Sequence, residues 1–448
     1  MPDDAALRRF ASSLRGSVVL PDDTAYDDAR AVWNASIDRR PAAVARCADV
    51  TDVQRAVDFA RTTGLRIAVR GGGHGFAGHA TCDGGLVIDC SPMRDVTVDV
   101  PGRIAHVTAG CTLAELDQAT QAFGLASPTG TAPPTGVAGL TLGGGLGWLM
   151  GKHGLACDNL VAAQVVTADG RWLRVSADEH PDLLWGLRGG GGNFGVVTSF
   201  ALRVHPIDTV YGGFVSYPFT QAAQVLRAYR EFTAAAPDEL TAFVGVLPFA
   251  AGPAFAVAAC WSGDPRRGEV ALAPLRSFGT PDTVALRPMP LLEMQQLLSP
   301  PPIRTAAYAR SSFLRALDDD AVAAMVGYAA ASVPPMLGVF FVEHFHGAAT
   351  RGADSAFSHR AEAYNFAALA IWMEPEHADG SAAWVRGFSD ALSPYFGSGV
   401  YSNYLGDGED TRVRAAYGSA YERLRSLKRT WDPDNVFRLN QNIDPAGS

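Results

Sequence analysis

The chain has 448 residues, with 37 basic and 46 acidic side chains, and carries a formal charge of −9. With 48% hydrophobic and 19% charged residues it can bury a large core, which excludes a disordered chain. The acidic balance without a long Lys/Arg run argues against a general nucleic-acid binder, and the apolar stretches break at glycine or proline well short of a membrane span.

The N-terminus contains Arg8-Arg9-Phe10, a faint twin-arginine pattern, but Ser12 to Gly16 follow with no apolar run, so the expected location is cytoplasmic. Thr51 to Arg61 reads as a helix, with Thr51 and Gln54 as a capping box and Gly64 as its stop. Strands are predicted over Leu65 to Arg70, Leu86 to Asp89 and Ile104 to Thr108, and Thr112 with Glu115 caps a second helix ending at Gly124. Val196 to Val204 reads as another strand. From Asp208 to about Ser398 strands such as Thr241 to Leu247 and Gly338 to Phe345 alternate with alanine-rich helical stretches, which suits a sheet with helices on one side. An amphipathic helix is predicted over roughly Asp410 to Lys428, stopped at Trp431-Asp432-Pro433. The six cysteines are irregularly spaced and form no CxxC pair, which speaks against a disulfide scaffold and structural zinc.

Residues 64 to 195 hold 27 of the 47 glycines, so loops there wrap closely around something. Two stretches match GxGxxG: Gly73 to Gly78 and Gly190 to Gly195. A Rossmann site needs a helix to begin inside the motif, because the pyrophosphate rests on that helix N-terminus. Strand-like text follows both, so a nicotinamide-dependent Rossmann dehydrogenase is disfavoured. Gly147 to His153 fails as a P-loop, since Leu146 and His153 stand where glycine and Ser/Thr belong. What remains is an anion-cradling loop of backbone N–H groups around His74, a histidine with glycine on both sides and no sequence neighbour to pack against. Its alternative reading is a histidine bonded within a turn.

Arg70-Gly71-Gly72-Gly73-His74-Gly75, followed by Gly84 to Asp89, resembles the berberine bridge enzyme-like FAD-linked oxidases of the vanillyl-alcohol-oxidase flavoprotein fold. Further blocks match in order: Thr135 to Gly139 with Gly143 to Gly147, Gly154 to Asn159, Asp182 to Val197, Tyr401 to Tyr404, and Asp432 to Arg438. The resemblance runs from about Arg46 to Ile443 and is nearest to the bacterial hydroxynicotine-oxidase-like branch. It implies an α+β flavoprotein: an FAD-binding domain of two α/β subdomains over 1–207, a substrate domain with a large antiparallel sheet covered by helices over 208–398, and a segment over 399–448 that returns to the FAD domain. It implies a bond from His74 to the 8α-methyl of FAD. Relatives with a second, cysteinyl bond have it at the position of Ala132, so a single covalent bond is expected. Cys157 is read as a small buried packing residue. The cofactor contacts carried over are His74, Arg70, Gly71, Gly72, Gly73, Gly75, His79, Thr129, Gly130, Val137, Gly139, Gly143, Gly144, Asp158, Asn159, Val197 and Asn403.

The implied reaction is hydride transfer from an organic substrate to flavin N5, with a side chain removing a neighbouring O–H or N–H proton and O2 as acceptor. Plant relatives carry a glutamate before Phe-x-His-Arg, here Phe357 to Arg360, but Gly347 to Thr350 has no carboxylate. Tyr404, Tyr401 and Glu343 are the candidate replacements. Alternation puts Glu343 and Phe345 on one strand face and His344 and His346 on the other, and which face meets the flavin stays open. As a metal pair the two histidines lack a third ligand. Trp185 reads as core, Trp372 as core or substrate wall, and Phe249, Phe255, Trp261 and Phe341 as walls favouring a small or medium organic molecule. The expected partners are that substrate and O2, with no nucleic acid or membrane, in a monomer or homodimer. A relative that keeps the fold but has lost its base, and a flavin dehydrogenase with another acceptor, are the competing readings.

Overall fold

The computed structural model describes residues 4–299, 304–332 and 337–446. Its first sheet has four strands in the order Ser17–Val19, Ala43–Arg46, Leu86–Asp89 and Ile67–Arg70, the last three parallel. Leu86–Asp89 is buried on both faces, which explains why its sequence fails to alternate. The helix Val50–Thr63 ends at Gly64, whose φ of 71° no β-carbon residue favours. Its cap is not the predicted Thr51 box. Asp49 accepts from the Asp52 amide, and Gln54 instead donates to the Gly170 carbonyl at 2.8 Å. The Thr112–Glu115 capping box does form, at the head of Leu113–Gln121. Near the N-terminus, Phe10 of the helix Asp4–Ser13 stacks on Phe59, so the Arg8-Arg9-Phe10 segment packs on the fold.

A second, antiparallel sheet of five strands runs Val96–Asp99, Ile104–Thr108, Val196–Arg203, Leu160–Val166 and Trp172–Val175. Both GxGxxG loops therefore lead into strands. One apolar core joins the two sheets, and it takes in Tyr417, Leu424, Phe437 and Ile443 from the C-terminal segment. The long helix expected over 410–428 is two: Val413–Tyr417 and Tyr421–Trp431, broken at Gly418 with φ 49°. Lys428 is fully buried, paired with Asp432 at 2.7 Å and donating to the carbonyls of Asn193 and Phe437. That junction fixes the glycine run 189–195 against the chain's last turns.

The third sheet has seven antiparallel strands, ordered Thr283–Pro290, Thr209–Ser216, Gly252–Trp261, Leu240–Phe249, Leu337–His344, Tyr364–Trp372 and Ala306–Leu314. The helices Ala222–Ala234, Asp319–Ala331 and Ala378–Leu392 pack on one face, through Val225, Leu226, Val322, Met325, Val385 and Phe388. Because strand side chains alternate, the sheet's other residues face away from those helices. Phe340 and Val342 lie under helices, whereas Phe341 joins a separate cluster with Phe249, Phe313 and Tyr401. Among the described residues no helix is long and apolar enough to cross a membrane.

Candidate active site

The glycine clusters close around one cavity of about 350 Å³. Its walls come from the His74 loop, from Gly130 to Leu146, from Gly191, Gly192, Gly195 and Val197, and from two C-terminal stretches, Tyr401–Leu405 and Leu439–Gln441. Two of these loops nearly touch: a β-carbon on Gly72 would sit 2.4 Å from the Gly136 amide nitrogen. Any other residue at either position would push the loops apart. The cavity's lining takes in Ile67 and Val69 of the first sheet together with Phe76 and Tyr404, the latter bonded to Glu343 of the third. Walls made largely of glycine let a bulky ligand lie close against the backbone.

His74 lines this cavity. Burial pulls its pKa down to about 4, so its imidazole is neutral near pH 7. Nε2 is buried and has no hydrogen-bond partner, although buried polar atoms are nearly always paired. A neutral imidazole with one bare nitrogen inside a cavity is a nucleophile waiting for an electrophile. Together with the glycine walls, this orphaned atom shows that the residues fit a bound flavin.

At the other end, Tyr404 lines the cavity and donates its hydroxyl hydrogen bond to Glu343 Oε1 at 3.1 Å. Glu343 Oε2 accepts from Asn365 Nδ2 at 2.6 Å, and the two residues are direct cross-strand partners. Glu343 is 3% exposed, and burial pushes its carboxyl up to about 7 against the pull of those two donors. Burial and the neighbouring carboxyl hold Tyr404 well above the usual phenol range. The strand face left open by the sequence is thus decided: Glu343 points toward Tyr404. His344 lies on the opposite face, stacked on His346 and tilted against Tyr364.

Tyr401 also lines the cavity, but its hydroxyl accepts from the Gly145 amide at 2.8 Å and from Asn403 Nδ2 at 2.9 Å. It braces the glycine loop. Asn403 completes that brace by donating to the Leu140 carbonyl.

Of the carried-over contacts, His74, Gly71, Gly72, Gly73, Gly75, His79, Gly130, Gly139, Gly143, Val197 and Asn403 line the cavity, as does Ala132. The other six are set behind it. Arg70 makes a two-pronged pair with Asp89 (2.7 and 3.1 Å) that anchors the start of the His74 loop. Asp158 is held by Arg360 in a second such pair (2.6 and 2.9 Å), and Asn159 bonds His205 and the carbonyls of His153 and Leu155. Thr129 meets Asp117 and Gln295, Val137 is core, and Gly144 packs against Phe357 and Tyr401. These six position the cavity's walls through neighbours.

Two proposed substrate walls are also relocated. Phe255 and Trp261 face the helices, because alternation from Val257 and Ala259 puts them there, whereas Phe249 and Phe341 share the cluster of Tyr401 and Tyr404. Trp185 is core, under the Arg423 guanidinium at 3.7 Å. Cys157 is fully buried and free. Asn365, Gln441 and Trp33 were not singled out by sequence reasoning. Asn365 interrupts apolar text, a detectable signal, while Gln441 lies within a polar run and Trp33 carries none.

Residues 41–176 match the family profile described as "FAD binding domain" and 400–444 the one described as "Berberine and berberine like". The chain is 31% identical to an FAD-linked oxidoreductase of Dictyostelium discoideum, over 98% of this chain and 97% of that one. It is 31% identical to (R)-6-hydroxynicotine oxidase of Paenarthrobacter nicotinovorans, covering 97% and 98%. The crystal structure of 6-hydroxy-D-nicotine oxidase from Arthrobacter nicotinovorans superposes with a TM-score of 0.88 at 30% identity, over 97% of this chain and 98% of that one.

Proposed function

The chain belongs to the berberine bridge enzyme-like family of FAD-linked oxidoreductases, and from that premise we propose that it oxidises a small or medium organic molecule: an alcohol, an amine or a secondary-metabolite intermediate. The observation that carries the proposal is the buried Tyr404–Glu343–Asn365 chain opening onto the cavity. When bound, FAD supplies the two-electron acceptor whose N5 takes a hydride from the substrate carbon.

His74 carries the flavin through a single covalent bond, with Ala132 leaving no second attachment point. Gly71 to Gly75 and Gly130 to Gly143 present backbone N–H groups to the cofactor. Tyr404 meets the substrate O–H or N–H and passes its own phenolic proton to Glu343 as it accepts the substrate's. Asn365 holds the carboxylate in place by donating to its far oxygen. Raised to about 7, Glu343 is a strong enough base to take that proton at neutral pH and a weak enough one to release it afterwards. Phe76 and Phe341, with ring centroids 6.3 and 6.2 Å from Tyr404, keep water from the relay.

Alcohols, cyclic amines and phenolic compounds are screened for anaerobic bleaching of the yellow protein, and the bleached form is then given O2 or an artificial dye. An enzyme of this kind bleaches with some of them and recovers in air; recovery with dye alone indicates a dehydrogenase. The absence of a carboxylate in Gly347 to Thr350 favours the second reading, a binding protein that has lost its base. Under that reading no compound bleaches the flavin, and Tyr404→Phe changes nothing.

A further inference from the structure

Glu343 is buried in the seven-stranded sheet, and the register fixes what surrounds it on the face turned to Tyr404. Phe243 is its direct partner on one neighbouring strand and Asn365 on the other. Phe341 and Phe345 flank it two residues away along its own strand direction, and the three phenylalanines share an apolar cluster with Tyr401 and Tyr404. Each carboxyl oxygen meets one donor: Oε1 the Tyr404 hydroxyl at 3.1 Å, Oε2 the Asn365 amide at 2.6 Å. A proton on Glu343 therefore has two polar neighbours to move through.

The Asn365 branch stops at Asn365. That residue is fully buried, Phe313 is its partner on the next strand, and among the described residues no donor meets its Oδ1. Its amide nitrogen has no lone pair with which to take a proton onward. Tyr401 gives no side route, since its hydroxyl oxygen already accepts from the Gly145 amide and from Asn403. Tyr229, the ionisable neighbour across the sheet, packs with the helices and donates to the Ala242 carbonyl at 2.7 Å. The Tyr404 branch is different, because Tyr404 lines the cavity. Its phenol keeps its own proton at neutral pH, so it passes one on only as it receives another.

We infer that Tyr404 is the single door to Glu343, so that the proton taken from the substrate is kept on Glu343 and returned through Tyr404 to the cavity when dioxygen is reduced there. The inference rests on the proposed reading of Tyr404 and Glu343 as the proton acceptor. Oxidation of an alcohol or amine breaks one C–H bond and one O–H or N–H bond, sending a hydride to flavin N5 and a proton to Glu343. Reduction of dioxygen to hydrogen peroxide takes two electrons and two protons. The hydride supplies both electrons and one proton, and Glu343 supplies the other. Glu343 is then ionised again, and the cycle draws no proton from the medium.

The door is tested on the resting holoenzyme without substrate. The protein is moved from water into D2O at pH 5, where Glu343 holds its proton, and the carboxylic C=O stretch is followed by infrared difference spectroscopy. The Glu343 band is assigned by its loss in Glu343→Gln. Exchange in the parent is expected within the mixing time. Tyr404→Phe is expected to be slower by roughly 100-fold or more, because exchange then waits for local opening of a buried strand. Asn365→Leu, which closes the other side, is expected to exchange as fast as the parent. Tyr404→Phe exchanging at the parent rate, or Asn365→Leu exchanging slowly, overturns the single door. The return is tested at pH 8 with a pH-indicator dye and a substrate that bleaches the flavin. In the parent no proton is expected to enter the medium in step with bleaching, and none to be taken up when oxygen follows at once; Glu343→Gln is expected to release one per flavin. A parent that releases one per flavin in step with bleaching overturns the return. A protein that no substrate bleaches overturns the oxidation reading instead, and the exchange result still decides the door.

Discussion

Replacing Glu343 by glutamine separates the proton relay from the architecture around it. The side chain keeps its shape and can still accept from Asn365 or Tyr404, but it can no longer take a proton. Its pKa stands at about 7 against an ordinary 4.5, roughly two and a half units at about 1.36 kcal/mol each, or about 3 kcal/mol of resistance to ionisation. Because the folded pKa is the raised one, the folded protein holds this proton through a range where the unfolded chain has lost it. Stability from this group is therefore fully present below about pH 4.5 and falls as pH rises toward 7. Glu343→Gln should consequently be more stable than the parent at pH 8, by up to about 3 kcal/mol, and equal to it at pH 4.5. Catalysis should move the other way. In anaerobic stopped-flow reduction with any substrate that bleaches the flavin, the parent rate should rise about tenfold per pH unit below about 7 and level off above it. The variant should be slower by about 10²–10⁴-fold and lose that limb. A variant that reduces at the parent rate, or keeps the same limb, refutes Glu343 as the proton's destination.

Three further outcomes follow from the geometry. Asp117, buried against Gln295 and Thr129 and pushed up to about 7 by that burial, should make stability fall between about pH 4 and 7, and Asp117→Asn should flatten this slope in thermal melts. Lys428→Met strands the Asp432 carboxylate with its cation gone, and urea titration should show a loss of about 3–5 kcal/mol. Gly136→Ala drives a β-carbon to within 2.4 Å of the Gly72 amide and should release flavin from the purified protein, seen as a fall in the visible-to-ultraviolet absorbance ratio.

Two helices packed behind the cavity were legible because glycine stops and capping chemistry are local. Leu113–Gln121 began at its capping box, and Val50–Thr63 stopped at Gly64. Motif resemblance brought His74 and the loops around it to one cavity, but it carries a position, not a direction. Asp158 lies in a matching block yet turns to Arg360, 202 residues away, a partner no local pattern announces. The same holds for the strands. Alternation grouped Glu343 with Phe345, but only the register against Asn365 and the helices covering Val342 fixed which group faces Tyr404. Phe255 and Trp261 were misplaced for that reason. The helix predicted through Gly418 failed differently: a β-carbon there would lie 2.7 Å from Ser358 Oγ, so packing selected a glycine and the glycine broke the helix.

On the proposed reading this cavity holds FAD through one bond to His74 and none at Ala132. Intact mass of the acid-denatured chain, with the flavin-bearing peptide mapped by fragmentation, tests it most directly. The expected result is a chain heavier by one FAD, with the added mass on the peptide containing His74 and absent from His74→Ala. A chain of unmodified mass, or flavin found on Cys157 or any other residue, would contradict it.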